Sequence, residues 1–164
     1  MRFTLEQVIG GPVGAVARIY TEPRFYEAIG DIGKLGRPEV LDRREDGALV
    51  RLAVRYRFTG ALSPAVTRVV DPARLTWVEE SVHDLEQHTV AFTVKPDHYG
   101  DRLRCSGSSR FVAAGGDTTR RLAEGDVAVR APLVGRAVEG AIVSGLREHL
   151  GAEVDVVERL LSDL

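Results

Sequence analysis

Residues 132–164 read PLVGRAVEGAIVSGLREHLGAEVDVVERLLSDL. At the 100° step of an α-helix, Val134, Val138, Ile142, Leu146, Val156, Val157, Leu160 and Leu164 fall on one broad face. Arg136, Arg147, Glu148, Asp155, Glu158, Arg159 and Ser162 fall on the other. This spacing predicts one long amphipathic helix, with Pro132 in the first turn, where its missing N–H breaks no bond. Ala141, Gly145 and Ala152 interrupt the apolar face. Gly140, Gly145 and Gly151 each cost about 1 kcal/mol of helix propensity relative to alanine. A long helix with a notched apolar face calls for a curved partner surface, and the residues ahead of it supply one.

From Arg37 the hydrophobic period is two, and it stays so for about ninety residues. Pro38 to Arg44 reads as an edge strand, because proline cannot donate to a ladder. Asp46-Gly47 is a hairpin signal. Val50, Leu52, Val54, Tyr56 and Phe58 then alternate with Arg51, Arg55 and Arg57. Residues 59–74 read as loops around an apolar stretch at Val66 to Val70. Leu75 to His83 resumes as a strand, 84–87 turns it back, and Val90, Phe92 and Val94 alternate next. Leu103, Cys105, Gly107, Ser109 and Phe111 oppose Arg102, Arg104, Ser106, Ser108 and Arg110. The last strand is expected over Thr118 to Ala131. A bulge near Glu124-Gly125 is expected in it, since Leu122 is inward in one register and Val127 and Val129 in the other.

At the other end, Phe3, Leu5 and Gln7 alternate with Thr4, Glu6 and Val8, the pattern of a half-buried first strand. A short helix starts at Pro12, with Val13, Val16, Ala17 and Tyr20 as its apolar side. Thr21 is the expected N-cap of a second one that turns Phe25, Tyr26 and Ile29 inward. Gly30, Gly33 and Gly36 follow a helix rather than a strand, which suits a loop and not a dinucleotide fingerprint. The whole reads as α+β: a curved antiparallel sheet of about seven strands wrapped on the C-terminal helix, with two short helices after strand 1. A single domain spans 1–164.

Composition narrows the function. The chain has 44% hydrophobic and 28% charged residues, the balance of an ordinary globular protein. A net charge of −2 argues against a nucleic-acid partner, which calls for a basic excess. No apolar run reaches 18 residues, so no membrane span is expected, and the opening MRFTLEQV lacks the apolar region of a signal peptide. Cys105 is the one cysteine, which excludes an internal disulfide and fits a reducing cytoplasm. No G-x-S-x-G, H-E-x-x-H or G-K-[ST] occurs, and no metal or cofactor is expected.

The stretches PVGAVARIYTEPRFYEAIG at 12–30 and VRAPLVGRAVEGAI at 129–142, in this element order, resemble the START-like helix-grip (SRPBCC) superfamily of pollen-allergen-like proteins, lipid-transfer domains and polyketide cyclases. They look most like a bacterial subgroup without an assigned function. The resemblance covers essentially the whole chain. It implies a hydrophobic cavity between sheet and C-terminal helix, and it carries over no catalytic residue. Such a cavity would be lined by Leu52, Val54, Tyr56, Phe58, Phe92, Leu103, Cys105, Val127 and Val129 from the sheet, and by Ala141, Ile142, Gly145 and His149 from the helix.

Few residues invite chemistry. His149 lies on the apolar helix face with Glu153 one turn on, where a carboxylate favours the imidazolium; a structural histidine at the helix edge is the plainer reading. His83, His88 and His98 read as exposed loop histidines rather than a zinc set. Of Glu79 and Glu80, one must face inward if the strand is regular and could then serve as a buried acid/base group; a strand that twists out at the sheet edge is the preferred reading. Arg51, Arg55, Arg57, Arg102, Arg104 and Arg110 form rows on the outer sheet face, best read as solvated charge. Cys105 reads as a small buried hydrophobe. The leading expectation is a monomer or weak homodimer that binds a small apolar molecule (lipid, polyketide or isoprenoid-like). Tyr56, Gln7 or His149 would orient its polar end. The alternatives are a cyclase/dehydratase-like enzyme with His149 as acid/base and Glu153 orienting it, or a protein-interaction module.

Overall fold

The computed structural model describes residues 1–30 and 32–163, so Leu164, expected on the helix's apolar face, lies outside the described residues. The chain runs β1 (Arg2–Gly10), α1 (Val13–Ile19), α2 (Pro23–Ile29), β2 (Glu39–Asp46), β3 (Leu49–Arg57), a one-turn α3 (Pro64–Thr67), β4 (Thr76–Asp84), β5 (Thr89–Pro96), β6 (Leu103–Ala113), β7 (Thr118–Val129) and α4 (Gly135–Ser162). The strands form one antiparallel sheet in the order β1-β7-β6-β5-β4-β3-β2. Consecutive hairpins build β2 through β7, and β1 closes beside β7. The proline-preceded β2 is an edge strand. This is the helix-grip architecture.

Alternation decides which side chains face α4. Val50, Leu52, Val54 and Tyr56 of β3 are buried while Arg51, Arg55 and Arg57 are exposed. Cys105, Ser109 and Phe111 of β6 are buried between exposed Arg104, Ser106, Ser108 and Arg110. The outer face pairs part of its charge across strands, as in Lys95–Glu80 (2.6 Å), Arg120–Glu6 (3.1 Å) and Arg55–Asp97 (3.4 Å).

Three local expectations are corrected. The register between β7 and both its neighbours is continuous through Glu124 and Gly125, so there is no bulge. Leu122 therefore lies on the outer face, and Thr119, Arg121, Ala123, Val127 and Val129 point inward. Thr21 does not cap α2; its hydroxyl donates to the Arg18 carbonyl (2.8 Å) at the end of α1, and Glu22 holds the N-cap position of α2 without a side-chain bond. Helix α4 starts at Gly135 rather than at Pro132, because Leu133 takes a left-handed φ of 68°. The buried face of α4 also includes Val143 and Leu150, which the sequence reading omitted.

Helix α4 lies along β1 and β7 and against α1 and α2. Polar clamps fix it there. The Val129 amide donates to Glu139 (2.9 Å), and the Gly10 amide donates to Glu158 (2.7 Å). Gln7 Nε2 donates to the Leu150 carbonyl. Apolar packing divides in two: α1, α2, β3, Phe111 and the C-terminal half of α4 form one cluster, and Phe3, Cys105, Val127 and Val143 form a smaller one.

Glycines tell which inward space is filled. Gly107 and Gly125 are cross-strand partners. A Cβ on Gly107 would lie 2.3 Å from the Glu124 carbonyl and 2.8 Å from the Phe92 ring, and one on Gly125 would meet the Phe3 ring at 2.7 Å. Phe92 and Phe3 thus occupy the room that these two small residues leave. A Cβ on Gly145 would meet nothing within 4 Å. Gly107→Ala should therefore destabilise the protein by about 1–3 kcal/mol through overpacking. Gly145→Ala should stabilise it by up to about 1 kcal/mol through helix propensity. Urea unfolding of the two variants checks both signs.

Candidate functional site

Where the sheet meets the middle of α4, charged and polar side chains converge inside the protein. His149 and Glu153 stand one helical turn apart, and both are buried. Arg121 reaches them from β7 because the unbroken alternation of that strand turns it inward. Its Nη1 donates to Glu153 Oε2 at 2.6 Å. The guanidinium lies over the Tyr20 ring, 4.7 Å from its centroid, and also donates to the Tyr20 hydroxyl at 3.3 Å. Tyr56 of β3 stacks with Trp77 of β4 at 5.9 Å and meets the His149 ring edge-on at 6.0 Å.

The electrostatics follow from burial against charge. Burial raises the Glu153 carboxyl, but Arg121 and His149 together outweigh it, and the group is held below the ordinary glutamate range. Burial pulls the His149 imidazole down; the Glu153 carboxylate and, to a lesser degree, Glu79 override this, so it is held above its ordinary value. His149 Nε2 lies 3.2 Å from Glu153 Oε1, yet neither ring nitrogen has an aligned hydrogen-bond partner. The attraction is one of charge more than of a directed bond. Gln7 Oε1 and Arg121 Nε are also buried without partners.

Glu79 completes the group. Strand β4 is central, not an edge, and it does not twist out: Glu80 faces outward to Lys95 while Glu79 faces inward between Val54 and Val94. No cation or donor pairs with it among the described residues. Burial and the neighbouring Glu153 charge push its carboxyl up to about 7. His83, expected in an exposed loop, is instead buried on the same face with Nε2 3.0 Å from Ser81 Oγ, and burial pushes it down to about 4. His88 is half-buried and His98 exposed. Among the described residues no three His, Cys, Asp or Glu side chains converge as a metal site would require. Burial keeps the Cys105 thiol protonated, up to about 12.

The residues expected to line a cavity divide into three sets. Leu52, Val54, Tyr56, Cys105, Val127 and His149 are buried in the interior. Phe92, Leu103, Val129, Ile142 and Gly145 are half-buried. Phe58 lies beyond the end of β3 against Gly60, and Ala141 is exposed on the outer flank of the helix. Arg121 was missed altogether, although strict alternation from Thr119 to Val129 places it inside. The apolar Leu122 suggested the other register.

Residues 4–161 match the family described as "Protein of unknown function (DUF2505)". No curated protein matches the chain in sequence. Solved structures share its fold. A protein from Thermus thermophilus is 19% identical, with a TM-score of 0.70 over 99% of each chain. An aromatase/cyclase from a Streptomyces species is 13% identical, with a TM-score of 0.67 over 96% of this chain and 91% of its own. Norcoclaurine synthase from Thalictrum flavum is 16% identical, with a TM-score of 0.64 over 100% of this chain and 87% of its own.

Because Glu79 titrates higher in the fold than the ordinary glutamate value of 4.5, the fold favours its neutral form. That contribution is whole below about 4.5 and is lost as pH rises through about 7. Glu79→Gln should therefore gain stability relative to the parent between pH 5 and pH 8. Thermal unfolding of both proteins across that range checks it; a constant difference would place Glu79 in water.

Proposed function

The chain belongs to the DUF2505 family, and from that premise and the geometry above we propose that it binds a small, largely apolar organic molecule between the sheet and α4. The guest lies on the side of the helix that faces β3, β4 and β5. The observation that carries this reading is the empty space beside Gly145. Gly145 and His149 are four residues apart on one helix flank, and His149 faces Tyr56 of β3, so the notch looks toward the β3 side of the sheet. The close backbone neighbours of α4 lie on the other side, at β1 and β7. Half-exposed Phe92, Val94, Leu103, Ile142 and Leu146, which pack against Phe3, Cys105, Val127 and Val143, supply apolar surface for the guest, each square ångström buried contributing about 25 cal/mol. The polar group at Glu79, Tyr56 and His149 orients the guest's polar end.

A second reading has one specific observation in its favour. Two relatives in fold, the aromatase/cyclase and norcoclaurine synthase, are enzymes by name, and His149 and Glu79 are ionisable groups with displaced proton affinities facing the same space. In that reading His149 transfers a proton and Glu153 positions it.

Gly145→Leu separates binding from its absence. A Cβ at position 145 meets no heavy atom within 4 Å, so the protein should stay folded while uptake of the apolar fluorophore N-phenyl-1-naphthylamine falls at least tenfold. Equal uptake by the parent and the variant would contradict the site. His149→Phe preserves volume, so the binding reading expects affinity to change by about 1 kcal/mol or less. The enzyme reading expects normal binding of a co-purified compound and a 10²–10⁴-fold loss of its turnover.

A further inference from the structure

Glu79 is the one acidic side chain at this centre that has no ion-pair or hydrogen-bond partner among the described residues. The groups that face it come from five elements. Helix α4 brings His149 and Glu153, β7 brings Arg121, and α2, β3 and β6 bring Tyr26, Tyr56 and Cys105. Only Arg121 carries a permanent positive charge, and it is bonded to Glu153 at 2.6 Å. The imidazole of His149 also sits on Glu153. Two carboxyl groups thus share one guanidinium, so the centre lacks one positive charge once the His149 imidazole, held above its ordinary value by both carboxylates, gives up its proton.

A half-buried carboxylate without a partner loses hydration that nothing in the protein returns. An anionic guest would deepen the deficit, and an uncharged one would leave it in place. A monocation would close it. The side chains next to Glu79 suit a cation as well. Trp77 precedes it by two residues on the same strand face, and Tyr56, directly across from Trp77, stacks with that indole. Aromatic faces attract an ammonium through the ring quadrupole, most strongly where water is excluded.

We propose that the guest is an apolar amine whose ammonium pairs with the Glu79 carboxylate beside Trp77 and Tyr56, while its hydrocarbon part fills the space at Gly145. This deepens the binding function and rests on it. Burial that lifts the Glu79 carboxyl to about 7 is what a missing counter-ion leaves behind, and an ammonium bound there would bring it down again.

Trp77 is the only tryptophan of the chain, so its emission reports on this position without a label. We would titrate the intact protein at pH 8 with 1-octylamine and with 1-octanol, which share a tail and differ in the head. The amine should bind at least tenfold more tightly, and the advantage should shrink at pH 5.5, where Glu79 is protonated. In Glu79→Gln, which keeps the shape and removes the charge, the two ligands should bind alike. Equal affinities in the parent would overturn the proposal, as would an amine preference that survives in a folded Glu79→Gln protein. The comparison of heads and of pH on the parent decides the matter even if that variant fails to fold. If neither ligand moves Trp77 emission while N-phenyl-1-naphthylamine still binds in a Gly145-dependent way, the amine assignment fails and the apolar site stands. Should the fluorophore also fail to bind, both fall together.

Discussion

The ion pair between Arg121 of β7 and Glu153 of α4 fixes where the long helix sits on the sheet. Both side chains are almost wholly withdrawn from water, and neither tolerates burial alone. Desolvating such a pair costs about as much as its attraction returns, so its net contribution to stability is small. Its contribution to geometry is large. A helix held by apolar contact alone can slide or turn by one residue at modest cost. With Glu153 bound to Arg121, any such movement strands two charges in the interior. Glu139 and Glu158, which accept from strand amides at either end, work along the same line.

Holding α4 against β1 and β7 leaves α1, α2 and the C-terminal half of the helix to cover β3. The two glycines of the β6–β7 pair leave no room of their own, because Phe92 and Phe3 occupy the space above them. The same seating sets the His149 ring edge-on against Tyr56, with Glu79 facing inward and without an ion-pair partner among the described residues. The pair that seats the helix engages Arg121, the guanidinium of this centre, so Glu79 is left without one. One interaction thus both seats the helix and sets the charge of the centre.

Much of this was legible in the chain. Alternation from Val50 to Tyr56 and from Leu103 to Phe111 was strong enough to assign faces, and the notch at Gly145 was visible in the helix spacing. Arg121 was not, since a lone arginine between Arg120 and Leu122 reads as surface and only the pairing of β7 with two neighbours settles its side. Glu79 and His83 were misjudged for a related reason. An inward acidic or basic residue contradicts the ordinary expectation for its type, and strand order, which places β4 away from any edge, is not written in its local sequence. Thr21 has the residue type of an N-cap, yet its hydroxyl bonds three residues back, to the Arg18 carbonyl at the end of α1.

The claim that a buried ion pair seats the helix is tested most directly by a double-mutant cycle on Arg121 and Glu153, read as unfolding free energy in urea. Arg121→Met alone leaves the Glu153 carboxylate buried without its partner, and a loss of about 3–5 kcal/mol is predicted. Adding Glu153→Met should restore most of that loss, because the second change removes the stranded charge. Strictly additive losses, with the double variant the least stable of the set, would show that the two residues do not meet and would contradict the account.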